Sequence, residues 1–459
     1  MKIWRICFCV VTTIALLGIS NQLAFAQNNG GGQIAGVEVN ADGVLKAKLF
    51  VDPSGQLTRQ RMNAANGFLT RELAQVSPLR KVSLNRLEAA VIAQKKQGKG
   101  PTEPMSNLAG LTRISHVFFY PETNDIVIAG PAEGFWRDIS GRAIGIKSGQ
   151  AVLQLEDLVV ALRTFGPRSR GNRIVSVSID STPEGLKNMQ QFLNGLRNVR
   201  PNDANRIAQG LFQSLGPQVV SINGVSPKTH MAQVLVEADY RMKLIGIALE
   251  RPPVRLQSYV ERVNPRTLSK NALQRWYFMP NYECVRVSQD RMAMQLVGNG
   301  VRLIGEDEKV EAATGKVQAN PRSNKYSQQF VEEFTKVYPE LAQKSPVYGQ
   351  LRDMIDLLVA SAFIRQQGYF EKAGWDMSHF GDERAFKTEN HQPITKADPA
   401  VNVLWKGNVL MTPIGGGVLI EPHRALHSSN QLKDEDGKLQ SLRKQVYLND
   451  LKPNQWWWD

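Results

Sequence analysis

With 459 residues, 42% of them hydrophobic and 21% charged, the chain has the composition of a globular protein and is too long for one small core. A formal net charge of +14 suits acidic partners, but the basic residues are spread along the chain rather than gathered into a groove-reading segment, which argues against nucleic acid. Six histidines are few for a multi-histidine metal centre, and three cysteines exclude a disulfide framework.

The chain opens with Lys2 and Arg5 ahead of the apolar run Ile6–Ile19, and Ala24–Ala26 carries the small-x-small pattern that signal peptidase cuts. Ser20, Asn21 and Gln22 interrupt the run well short of the ~20 apolar residues of a spanning helix. The expectation is a signal peptide over 1–26 and an exported chain, periplasmic or extracellular, with no transmembrane segment after cleavage. Loss of Lys2 and Arg5 takes two from the charge and leaves +12. Loss of Cys7 and Cys9 leaves Cys284, in the strand-like "YECVRVSQ", which reads as a buried, inert thiol.

The expected fold class is mixed, α/β to α+β. Residues 27–48 read as a flexible glycine-rich leader (Gln27–Gly36) and a short strand, and 49–250 as an α/β domain. A helix is expected around Gln56–Ala74. Another begins at the N-cap Ser83 with Leu84, Leu87 and Val91 on one face. "SHVFFYPETNDIVIAG" (Ser115–Gly130) reads as a hairpin turning on "PETND". From Ala151 strands alternate with helices: "AVLQL" before "EDLVVALRTF", and "RIVSVSID" before a helix with Thr182 as N-cap and Pro183 at its first position. "VSID" at Val177 and "VSIN" at Val220 suggest a duplicated βα unit.

"RPPV" (Arg251–Val254) is a breaker that opens an α+β domain over 251–430, with antiparallel hairpins and amphipathic helices. Gly298-Asn299-Gly300 predicts a tight hairpin, Glu306–Lys325 a polar loop, and Pro339 the end of a helix. "LRDMIDLLVASAFIRQQ" is long and apolar, yet Arg352, Asp353 and Asp356 mark it as an amphipathic core helix. Residues 431–459 read as a polar tail ending in three tryptophans.

Several stretches could carry chemistry. "MTPIGGGVLIEPHRALH" (Met411–His427) lacks the helix that a phosphate loop needs after its glycines, so "GGG" reads as the turn of a hairpin. Glu421, His423 and His427 spell E-x-H-x₃-H and are the candidate metal ligands. The competing reading is polar side chains on a loop after a strand. In "VEADYRMKLIG", Glu237/Arg241 and Asp239/Lys243 have the spacing of an exposed ion-paired helix face, with Tyr240 and Arg241 as minority binding candidates. Trp375 and His379 lie in an aperiodic stretch of the kind that often bears function, but no nucleophile elbow accompanies them. Trp456, Trp457 and Trp458 are costly to leave in water and are expected to dock, on the protein itself or on a partner. No cofactor is expected.

"VFFYPETNDIVIAGPAEGFW", "VLVEADYRMKLIGIALE", "LQRWYFMPNYECVRVS", "SPVYGQLRDMIDLLVASAFI" and "KAGWDMSHFGDE" with "WKGNVLMTPIGGGVLIEP" together resemble a family of exported bacterial proteins known as a domain of unknown function, over Phe118 to Pro422. The resemblance implies export and a shared fold, and no catalytic residue. The functional expectation is therefore a non-catalytic binding or envelope-assembly module, its partner an acidic envelope polymer or another envelope protein. A metal-assisted hydrolase is the alternative.

Overall fold

The computed structural model describes residues 33–169, 174–196, 200–264, 272–310, 317–320, 325–402, 414–445, 448, 451–452 and 454–459. The expected signal peptide lies outside them.

The chain begins with the hairpin β1 (Gln33–Val39) and β2 (Val44–Val51), so Gln33–Gly36 of the expected leader is strand. The expected helix over Gln56–Ala74 is two, α1 (Gln56–Ala65) and the single turn α2 (Arg71–Ala74). Next come β3 (Ser77–Ser83), α3 (Leu84–Lys96) and the short α4 (Glu103–Ser106). Ser83 caps α3 as predicted, its hydroxyl accepting from the Arg86 N–H, and Leu84, Leu87 and Val91 are buried. β4 (His116–Tyr120) and β5 (Asp125–Ala132) form the expected hairpin, and the small pair β6 (Phe135–Arg137) and β7 (Ala143–Gly145) follows.

"AVLQL" forms no strand. Ala151 makes an isolated bridge, and α5 (Leu155–Thr164) starts at once. β8 (Val175–Asp180), α6 (Pro183–Gly195), α7 (Ala204–Leu215) and β9 (Gln218–Asn223) lead to α8 (His230–Gly246) and α9 (Tyr259–Arg262). The two strands of the suggested βα duplication, β8 and β9, are antiparallel neighbours and form no parallel βαβ crossover. Two packed helices, α6 and α7, intervene and bring the chain back to the end of the sheet it left. Leu186, Met189, Ile207, Leu211 and Leu215 form a separate small core there.

The second half holds β10 (Ala272–Pro280), β11 (Val285–Val287), β12 (Ala293–Leu296), β13 (Val301–Val310) and β14 (Val317–Asn320). Helices α10 (Lys325–Lys344), α11 (Pro346–Gln366) and α12 (Tyr369–Lys372) follow. Last come β15 (Lys396–Ala397), β16 (Ile414–Ile420), α13 (Pro422–Ala425), β17 (Gln431–Lys433), α14 (Lys438–Lys444) and β18 (Trp457–Trp458).

Four expectations fail here for physical reasons. Gly298 and Gly300 do take positive φ (68° and 73°), but their turn joins β12 in one sheet to β13 in the other and makes no hairpin. The expected loop Glu306–Lys325 contains the end of β13 and its partner β14. Helix α10 runs through Pro339 to Lys344, packed on β13 and α11. Helix α11 is not amphipathic, since Val347 to Ile364 are all buried, Arg352, Asp353 and Asp356 included. Asp356 meets the guanidinium of Arg113 at 2.9 Å. No helix among the described residues is long and apolar enough to cross a membrane.

The architecture is the expected mixture of helices and mixed sheets. A nine-stranded sheet runs β1-β2-β15-β9-β8-β16-β10-β13-β14, and a seven-stranded sheet runs β17-β11-β12-β4-β5-β3-β18. Both sheets combine strands from before and after Arg251. The "polar tail" supplies both edges of the smaller sheet, β17 and β18. α8 lies on β8, β10 and β16 of the larger sheet, and α11 packs across α5, α8 and α10.

Candidate functional site

A cleft of about 410 Å³ opens where β1 and β2, the β6–β7 pair, the start of α5 and the start of α8 meet. Such concave, partly polar hollows are where small ligands bind. Local sequence explains how its groups are aimed. Thr229 caps α8, its hydroxyl accepting from the Ala232 N–H, so His230 is held at the first helical position. Glu156 and Asp157 sit in the first turn of α5, where carboxylates are favoured by the helix dipole. His391 arrives on the segment before β15, which is tied down by its own N–H to the Lys228 carbonyl at 2.9 Å and by the Gln392 amide to the Asn40 carbonyl at 2.9 Å.

Two histidine–carboxylate pairs result. His230 Nδ1 lies 2.8 Å from Asp157 Oδ2, and His391 Nε2 lies 3.2 Å from Glu156 Oε2; the two rings are 5.7 Å apart. Burial opposes the charge on His230, but Asp157 outweighs it and the imidazole's pKa is raised above its ordinary 6.5. Burial also raises the Asp157 carboxyl, partly offset by His230. Glu156 is likewise opposed by burial, yet the hydrogen bond from His391 and the nearby imidazoles bring its pKa below the usual value. Arg142 closes one wall, bonded to Glu237 and, through Nε, to Gln350 Oε1 at 3.0 Å. The Ser140 hydroxyl at the rim donates to Asp138 Oδ1 at 2.6 Å. The arrangement can exchange protons and offer donors to an anionic or hydroxylated ligand. Among the described residues lining it there is no activated nucleophile.

The stretches singled out from sequence lie elsewhere. Gly415–Gly417 form no turn: they sit inside β16, between β8 and β10. Glycine is needed there because of close approach. A Cβ on Gly416 would stand 2.5 Å from the Trp276 carbonyl oxygen and 2.9 Å from both Asp239 Oδ1 and Lys243 Cε. Glu421 accepts from Tyr282 at 3.2 Å and from Arg424 at 2.8 Å, while His423 and His427 are exposed, the latter bonded to Ser429. No group of three potential metal ligands occurs among the described residues.

The helix face expected to be exposed is buried. Both i,i+4 pairs form, but Glu237, Asp239, Arg241 and Lys243 all lie inside, because α8 is covered by the sheet on one side and by α11 and α5 on the other. Lys243 Nζ lies 3.0 Å from Asp239 Oδ2 and donates to the Ile179 carbonyl at 3.0 Å. Arg241 forks onto Glu250 at 2.6 and 3.0 Å, and Tyr240 is buried beside it, so neither binding candidate on α8 reaches solvent.

Trp375 and His379 hold a loop in place. Glu88, buried on α3, accepts from Trp375 Nε1 at 2.5 Å and from the His379 and Phe380 N–H groups at 2.8 and 2.6 Å. The terminal tryptophans dock on the protein itself. Trp457 and Trp458 pair with β3, the Trp456 carbonyl accepts from the Ser83 N–H at 2.9 Å, and buried Arg80 lies 4.6 Å from the Trp457 ring. Cys284 is buried, which pushes its thiol pKa up to about 12, as an inert thiol requires.

Sequence reasoning missed the cleft because its residues come from five separated stretches and no local spacing links them. Two partial signals were legible: the cap Thr229 fixing His230, and the acidic first turn of α5. His391 had none.

Compared with curated proteins and with solved structures, the chain has no match. Residues 177–259, from β8 to the start of α9, match the family model described as a protein of unknown function, DUF1598.

Proposed function

We propose that this is an exported, non-catalytic binding module of the cell envelope, periplasmic or extracellular, with the histidine–carboxylate cleft as its ligand site. The observation that carries the reading is the state of the cleft's polar groups. Its carboxylates are engaged by histidine and arginine, and its Ser140 hydroxyl donates to Asp138, so the site offers hydrogen bonds and charge without a group poised to attack a substrate. The basic balance of the chain favours an acidic envelope polymer as partner, with another envelope protein as the second choice.

The test is retention of the purified chain, begun at Gln27, on envelope fractions and acidic glycans at moderate salt. Retention is expected, with loss in Gln233→Trp, which fills the cleft from α8. A wild-type chain that washes through would overturn the binding reading. Export is tested separately by cell fractionation with N-terminal sequencing. A chain recovered from the cytoplasm with Met1 intact would remove that part.

A further inference from the structure

We propose that the cleft takes a carboxylate-bearing sugar unit, a uronic acid, whose carboxylate is received by Nε2 of His230 and by Arg142. This rests on the cleft being the ligand site. His230 has two ring nitrogens, and Asp157 occupies Nδ1 at 2.8 Å. Among the described residues none bonds Nε2, so that nitrogen is the one left to the hollow the ring lines. A buried carboxylate on Nδ1 fixes the orientation of the ring and favours the imidazolium, in which both nitrogens carry N–H and Nε2 donates; the neutral ring, with its proton on Nδ1, would offer Nε2 only as an acceptor. Asp157 is itself fully buried with Oδ1 unpartnered, so its charge is balanced chiefly through His230.

Arg142 is positioned similarly. Its Nε and one terminal nitrogen are fixed by Gln350 and Glu237, while Nη1 makes a single long contact of 3.5 Å to Ser140 Oγ. Imidazolium and guanidinium donors converging on one space suit a carboxylate, since charge-assisted hydrogen bonds are about twice as strong as neutral ones. The remaining lining suits a hydroxylated ring rather than a bare anion. Gln154, Gln233 and Glu156 offer donors and acceptors for hydroxyls. Phe50 supplies an apolar plane, and its ring lies so close over Gly36 that a Cβ there would stand 2.7 Å from it. The absence of a side chain at Gly36 is what lets that ring form the floor of the hollow.

The groups facing His230 are Asp157 and Glu156 from α5, Glu237 from α8, Arg142 beside β7, Arg137 from β6 and His391 from the segment before β15. Glu156 and Glu237 already have cationic or imidazole partners.

The test is calorimetric titration of the whole chain with D-glucuronate, D-glucose, acetate and inorganic phosphate. Glucuronate is expected to bind at least about tenfold more tightly than glucose, the difference one charge-assisted hydrogen bond makes. His230→Gln should lose about that factor while unfolding as cooperatively as wild type, and His423→Gln, exposed and outside the cleft, should change affinity less than about threefold. Affinity should fall as pH rises through the titration of His230. Glucose binding as tightly as glucuronate would overturn the carboxylate assignment and leave the cleft as a binding site. Acetate or phosphate binding as tightly would overturn the sugar assignment. Binding unchanged in His230→Gln, or no binding by either sugar, would overturn the inference as a whole, whereas the cleft's role in binding stands or falls by the Gln233→Trp retention result.

Discussion

The two ends of α8 carry ionisable pairs of similar chemistry in opposite surroundings. At its start, His230 and Asp157 meet at the wall of an open cleft, and the imidazole keeps one nitrogen for solvent or ligand. Three turns on, Asp239 and Lys243 lie wholly inside, under the backbone of β16, where Gly416 leaves room for both. The first pair can exchange a proton or meet a ligand through the reachable nitrogen of His230, although Asp157 itself is buried. The second cannot, because a charge left alone in the core has nothing to compensate it. Partnered charge in a protein therefore signals function where one member is reachable, and specifies packing where neither is.

The largest expected effect breaks the closed end. Lys243→Met should lower unfolding stability by about 3–5 kcal/mol in urea, because Asp239 is left buried without its cation. Burial pushes the Asp239 carboxyl up to about 6 even with Lys243 opposing it, so the folded state holds that proton more firmly than the unfolded chain does. Without Lys243 the deficit should grow as pH rises, since the carboxylate must then ionise alone. Asp239→Asn with Lys243→Met should recover part of the loss, and a double mutant as unstable as the single would refute the pairing.

Gly416→Ala comes next. Its Cβ would meet backbone and both members of the buried pair below 3.0 Å, and a loss of about 1–3 kcal/mol is expected from overpacking. An unchanged melting temperature would mean that the helix and β16 stand further apart than described.

The open end should give a smaller, pH-dependent signal. The folded-state pKa of His230 is raised, so its contribution to stability is fully present below the unfolded value of about 6.5 and fades as pH rises through the folded value. The stability gap between wild type and His230→Gln should accordingly narrow toward alkaline pH. An NMR titration placing the His230 imidazole below 6.5 would contradict the pairing with Asp157.

Smallest of all, replacing His423 and His427 together by Ala should leave melting temperature and zinc content unchanged, because both rings are exposed and Glu421 is already held by Tyr282 and Arg424. Stoichiometric zinc in the wild type that the double variant lacks would revive the metal site.

Much of the local structure was legible because it is written in neighbouring residues. Ser83 and Thr182 each cap a helix by accepting a backbone N–H three positions on, and "PETND" turns β4 into β5. The charges of α8 and α11 were misread for a general reason. Spacing at i,i+4 reports that two side chains can pair, and whether water or another layer covers the pair depends on distant strands. The glycines of β16 misled in the same way, since glycine serves a turn or a close approach equally well.

The sequence alone determined the mixed α/β class, the capped starts of α3 and α6 and the β4–β5 hairpin, because each is encoded by residues a few positions apart. Tertiary structure decided that β8 and β9 are antiparallel, that β12 and β13 belong to different sheets, that α11 and the later turns of α8 are buried all round, and that His230, Glu156 and His391 share one cleft with Asp157 buried behind His230. These depend on which distant segments pack together, a choice set by the burial of the whole core rather than by any one stretch of chain.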